Sequence, residues 1–195
     1  MGVNEHRAEN FAVETRPSEA PGSVSGTSGQ LADRPVLLLG MGNILLTDDG
    51  VGIHVLRALE PDLATGGASC RVRLCDGGTL GLELLTALEG AKSLVVIDAT
   101  RFGASPGTVR VFVDGEMDKQ LRGGRRSVHE VALADLMAAA QLIGRAPARR
   151  ALVGIQPESL QWGTEPTLAV HAAIPHACSA VRQVLTDWGE SNASG

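Results

Sequence analysis

Two unbroken apolar runs, Val36-Leu37-Leu38-Leu39 and Leu94-Val95-Val96-Ile97, constrain this chain more than any other feature. Successive side chains of a strand point to opposite faces, so a strand without polar alternation must be covered on both sides. Such a strand belongs in the middle of a parallel sheet that carries helices on each face. Around these runs, the strand pattern recurs at 71–75, 108–113 and 151–155, and the helical pattern at 51–60, 80–88, 128–143 and 167–188. The rhythm predicts an α/β chain of three αβα layers around a mostly parallel, twisted sheet of about five strands. The segment 108–113 follows strand 93–97 through Pro106-Gly107, a connection too short for a crossover, and is expected to be an antiparallel edge strand beside it.

A length of 195 residues suits one domain, placed at 34–189. Residues 1–33 mix charges with Gly, Ser, Pro and Ala and show no period, so they are expected to be a flexible extension. Residues 190–195 are expected to be a frayed tail. Helix 128–143 has Ser127 and Glu130 in capping-box positions and Gly144 as its stop. Aromatics are only 3% of the chain and Tyr is absent, so the core must be built from Leu, Val, Ala and Ile.

Charge narrows the function. The net charge is −5, and the only dense basic run, 122–126, has no aromatic beside it, which argues against nucleic acid. The N-terminus carries Glu5, His6, Arg7 and Glu9 where a secretory signal needs an apolar stretch, and no apolar run approaches the length of a membrane span. Cys70, Cys75 and Cys178 form neither a CxxC pair nor an even set, which fits reduced, buried thiols. A cytoplasmic protein without a membrane segment is expected.

In open parallel sheets, ligands bind beyond the C-terminal strand ends, so the polar residues there carry the information. Gly40-x-Gly42 opens like a dinucleotide fingerprint, but Leu45 stands where a third Gly is due, and Asp48 and Asp49 occupy the place a pyrophosphate would take. The glycines are therefore read as a sharp turn. Of the adjacent Asp48 and Asp49, one is expected to cap the following helix, leaving the other for the crevice. Asp98 ends a doubly buried strand, where a charge is costly unless paired or coordinated. Asp76, followed by Gly77-Gly78-Thr79, has a ready local turn role.

His129 lies in the first turn of its helix, where the dipole favours a neutral imidazole able to act as ligand or base. Leu133 stands where a zincin would need its second His. His171 and His176, five apart, miss the spacing that pairs two imidazoles on one helical face and are expected at the surface. His54 is a secondary pocket candidate, and Cys178 a weak nucleophile candidate. One or two carboxylates at the first helix, Asp98 and His129 thus make an O/O/N set suited to nickel, zinc or a similar divalent ion.

The order of these motifs carries a resemblance. Gly40-Met41-Gly42-Asn43, Asp48-Asp49-Gly50-Val51-Gly52, Asp76-Gly77-Gly78-Thr79, Val96-Ile97-Asp98-Ala99, His129 and Gln156-Pro157-Glu158 together resemble the nickel-iron hydrogenase maturation proteases over about residues 35–188. Several members of that family carry Glu at the first ligand position, where this chain has the shorter Asp49. The resemblance implies an endopeptidase that removes the C-terminal extension of a hydrogenase large-subunit precursor after nickel insertion. It implies Asp49, Asp98 and His129 as catalytic and metal-contacting residues, with Gly42, Asn43, Asp48 and Asp76 around the pocket. Nickel would arrive with the substrate, and zinc or cadmium could replace it in the isolated protein. The alternatives are a nonenzymatic metal- or nucleotide-binding maturation chaperone on the same fold, and another metal-assisted amidase or protease.

Overall fold

The structure is a computed structural model that describes residues 35–64, 72–78, 83–123 and 128–190. The first apolar run forms β1 (Val36–Gly40), and a single 3-10 turn (Thr47–Gly50) leads into helix α1 (Val51–Ala64). Then follow β2 (Val72–Asp76), α2 (Glu83–Glu89), β3 (Ser93–Ala99) and β4 (Val109–Val113). The chain closes with α3 (Gly115–Leu121), α4 (Val128–Leu142), β5 (Arg149–Ile155) and α5 (Leu168–Asp187), the last a continuous helix through Pro175. The readings for residues 1–33, for the tail beyond 190, and for the Ser127–Glu130 capping box lie outside what is described. Glu190 itself is held, its N–H donating to the Leu185 carbonyl and its carboxylate pairing with Lys92.

The five strands lie in the order β2-β1-β3-β5-β4, all parallel except β4. Every residue of β1 and β3 is buried, as their unbroken apolar runs require. Val36 and Leu38 face a core shared with α1 and α5, whereas Leu37 and Leu39 face a second core shared with α2, α3 and α4. Strand alternation therefore produces the three layers directly, and each fully buried Leu adds about 1.5–3 kcal/mol on either side.

Two features differ from the sequence reading. Strand β4 is antiparallel and at the edge, but its neighbour is β5, with Val111 opposite Val153, not β3. Both sides of β3 are already taken by β1 and β5, which leaves the outer side of β5 as the open one. Helix α3 was not foreseen, and long-range contacts explain it. Met117 and Leu121 enter the second core, and Arg150 grips Asp118 with two hydrogen bonds of 2.9 and 2.6 Å. That grip holds the Asp118 carboxyl below its ordinary pKa and raises that of the guanidinium.

Gly144 ends α4 as expected. It takes φ 67°, its N–H donates to Gln141, and the Arg145 N–H reaches back to Ala140, the paired pattern of a glycine-stopped helix.

The parallel strands end almost level, since Gly40 lies opposite both Asp76 and Ile97. Helix α1 begins directly over this edge. A Cβ on Gly52 would stand 2.2 Å from the Ile97 carbonyl oxygen and 2.5 Å from that of Met41. Gly52→Ala must therefore push α1 off the sheet, and a loss of about 3 kcal/mol is expected in urea unfolding. Unchanged stability would contradict the close approach.

Candidate active site

The site starts from the turn after β1. Gly42 takes φ 118°, and a Cβ there would fall 1.7 Å from the Asp49 carbonyl oxygen, so the loop lies flat against the 3-10 turn. Thr47 is forced to φ 40°, an uncommon conformation for a branched residue. Two contacts with the segment after β5 hold it there: the Thr47 N–H donates to Gly163 at 2.8 Å, and its hydroxyl to the Ser159 carbonyl at 2.7 Å.

The neighbouring carboxylates that follow have separate tasks. Asp48 is wholly buried. Its Oδ1 accepts the Thr167 N–H at 2.7 Å, and its Oδ2 accepts the N–H groups of Glu158 and Ser159 and the Thr167 hydroxyl at 2.8, 2.9 and 3.1 Å. Thr167 is the N-cap of α5. The sequence reading gave one of the pair to the cap of its own helix, but Asp48 instead serves the start of a helix 119 residues away.

Asp49 turns the other way. Its Oδ2 accepts the Asn43 N–H at 2.9 Å and lies 3.0 Å from His129 Nε2. The Asn43 side chain accepts the Leu45 N–H at 3.0 Å, which closes the turn. Burial alone would raise the Asp49 pKa, but the hydrogen bonds from His129 and Asn43, with the His129 charge, outweigh it and hold the carboxyl below its ordinary value. Asp49 is thus ionised at neutral pH, and two elements 80 residues apart are joined by it.

Asp98 is buried in β3, opposite Gly154 of β5. It shares alternation with Leu94 and Val96, which face the second core, so its side chain is on the face covered by α4, the helix that carries His129. Among the described residues, no three His, Cys, Asp or Glu side chains stand close enough to hold a metal ion by themselves. The structure thus joins Asp49 and His129 directly and sets Asp98 on the same face, without closing a three-ligand centre. The pair has the right chemistry and spacing for two neighbouring ligands, since two bonds of about 2.1 Å at a right angle span about 3.0 Å.

The remaining candidates lie elsewhere. Asp76 accepts the Gly78 N–H in a local turn and lines a cavity of about 260 Å³ with Ile53, Leu56, Arg57, Glu60 and Leu74, on the α1 face of the sheet. That is opposite the face of Asp98. His54 is on α1, and its Nε2 is buried without a hydrogen-bond partner among the described residues. Cys178 is buried in the first core, and burial pushes its thiol pKa up, which removes it as a nucleophile. His171 and His176 are exposed.

Sequence reasoning missed the partners of Asp48, and it named Gln156 without a role. The buried Gln156 Oε1 accepts the N–H groups of Phe102, Gly103 and Ala104 at 3.0, 3.1 and 3.3 Å, fixing the loop that leaves β3 after Asp98. A polar residue directly after a buried strand was the one available signal.

Comparison with known proteins identifies the family by sequence and by fold. The model of the family HycI, hydrogenase maturation protease, matches residues 53–184. The hydrogenase expression/formation protein HupD of Rhodobacter capsulatus is 39% identical over 155 residues, 79% of this chain and 72% of its own. The hydrogenase 2 maturation protease of Escherichia coli is 36% identical over 160 residues, 79% of this chain and 92% of its own. Among solved structures, the hydrogenase maturating endopeptidase HybD from E. coli superposes with a TM-score of 0.70 at 35% identity, covering 80% of this chain and 94% of that one. The fold and the matched sequence define a protease of the hydrogenase-maturation class. The chain belongs to the hydrogenase maturation protease family.

Two stability tests follow from these contacts. Asp48→Asn places an amide NH2 among backbone donors, and urea unfolding is expected to show a loss of about 3 kcal/mol. For His54, burial first and then the Arg57 charge lower the pKa from 6.5; Glu165 opposes this and His171 adds to it. The unfolded chain therefore binds the extra proton more readily, and stability falls as pH drops through about 6.5. His54→Gln should flatten the Tm-against-pH curve in that range; an unaltered slope would exclude His54 as the cause.

Proposed function

We propose that this protease removes the C-terminal extension of a nickel-iron hydrogenase large-subunit precursor once nickel has been inserted, with Asp49, Asp98 and His129 contacting that nickel. The observation that carries the reading is the part-buried Asp49–His129 pair, 3.0 Å apart, at the C-terminal edge of a mostly parallel sheet. The named activities of the relatives, hydrogenase 2 maturation protease and hydrogenase maturating endopeptidase, support the substrate class.

Nickel belongs to the substrate in this reading. Bound beside the scissile peptide, it supplies a Lewis acid that orients the carbonyl or activates a water. Asp49 provides a carboxylate kept ionised by its hydrogen bonds, and His129 the neighbouring nitrogen. Asp98, on the α4 face, adds the second carboxylate. Asn43 and Gly42 shape the turn that presents Asp49, while Asp48 braces it from behind. In the isolated protein, zinc or cadmium would replace nickel at the same residues.

The absence, among the described residues, of a helix long and apolar enough to cross a membrane is compatible with the cytoplasmic location that belongs to this reading.

Mass spectrometry of the precursor C-terminus tests the proposal. The nickel-loaded precursor should be shortened by the purified protein and the nickel-free precursor left intact. His129→Ala and Asp98→Asn should each slow cleavage by about a thousandfold or more, with circular dichroism unchanged. Normal processing by either variant would sink the assignment, and an uncut precursor with the wild type would favour a chaperone.

A further inference from the structure

We infer that Leu45, Trp162 and Leu168 form an apolar docking surface for the precursor polypeptide beside its scissile bond. The inference rests on the protease reading above and adds the surface that would hold the substrate.

These three side chains are 48%, 82% and 91% exposed. Such exposure is notable in a chain with only two Trp and no Tyr. Large apolar side chains left in water are a cost unless a partner covers them, and Trp is enriched where a few residues carry most of the binding energy.

The segments that present them are firmly held. Leu46 and Gly163 form a parallel bridge, whose register sets Leu45 beside Trp162. The Gly163 N–H donates to the Leu45 carbonyl at 3.0 Å, and the Gly163 carbonyl accepts from Thr47 at 2.8 Å. A Cβ on Gly163 would come within 2.7 Å of the Thr47 methyl, so the two strips lie flush. Leu168 follows Thr167, which is bound to Asp48. The apolar groups are thus pre-organised, and little ordering entropy remains to oppose binding.

The choice of occupant comes from continuity with the site. The Leu45 N–H donates to the Asn43 side chain, and the Asn43 N–H donates to Asp49, the residue paired with His129. Two hydrogen bonds therefore separate the apolar strip from the candidate catalytic carboxylate. A polypeptide placed for cleavage at Asp49 would lie within reach of this strip, and apolar residues flanking its scissile bond are the chemistry that would cover it.

Cleavage kinetics and tryptophan emission test the inference with the precursor itself as the probe. Trp162→Ala, and separately Leu45→Ser, should raise KM for the precursor by about tenfold or more, with the loss in KM rather than kcat, while Trp162→Phe recovers most of it. In a Trp188→Phe protein, where Trp162 is the sole tryptophan, adding precursor should shift the emission to shorter wavelength as the indole leaves water. An emission shift without any cleavage by the wild type would support the docking surface and overturn the proposed function instead. Normal cleavage with unshifted emission, or an unchanged KM for Trp162→Ala, would overturn the docking surface.

Discussion

The buried carboxylate of Asp48 holds together the parts from which the candidate site is made. An ionised carboxylate enclosed in protein is costly by several kcal/mol unless its oxygens are bonded. Here three backbone N–H groups and one hydroxyl meet it, all from the segment between β5 and α5. Its position at the start of α5 adds a favourable interaction with the positive end of that helix. Because each donor comes from a segment more than a hundred residues away, the turn after β1 and the segment after β5 must form as one unit. Asp49, the next residue, is positioned as a consequence.

This division resolves what two adjacent carboxylates are for. Side by side in one environment they would repel, and one would tend to take up a proton. The 3-10 turn sends them in different directions, Asp48 into backbone donors and Asp49 toward Asn43 and His129. Each is compensated separately. The glycines at 42 and 52 let backbone carbonyls pack where any side chain would intrude, which allows the turn to sit so close to β3.

Much of the fold was legible because apolar continuity has one physical outcome. Val36–Leu39 and Leu94–Ile97 had to be buried on both faces, and the αβα layering followed. Helix α3 was not legible, since it depends on distant contacts, those of Met117 and Leu121 with the second core and of Asp118 with Arg150, 32 residues apart, and not on a local pattern. The neighbour of β4 was misread for a related reason: loop length limits the kind of connection but not which strand has a free side. In the site, Asp98 could be argued from the cost of charge at the end of a buried strand. The separate fates of Asp48 and Asp49 could not, because the donors that decide them are 110 or more residues distant for Asp48 and 80 for His129.

The Asp49–His129 pair has one further consequence. Because Asp49 is ionised, His129 Nε2 reaches it through a proton, and under the proposed function a metal bonded to that nitrogen would displace the proton. The bridge between the turn after β1 and helix α4 would then pass from a hydrogen bond to the ion itself, across the same 3.0 Å. Occupied or empty, the same two atoms would tie helix and turn together, so the site would keep its shape while its contents change.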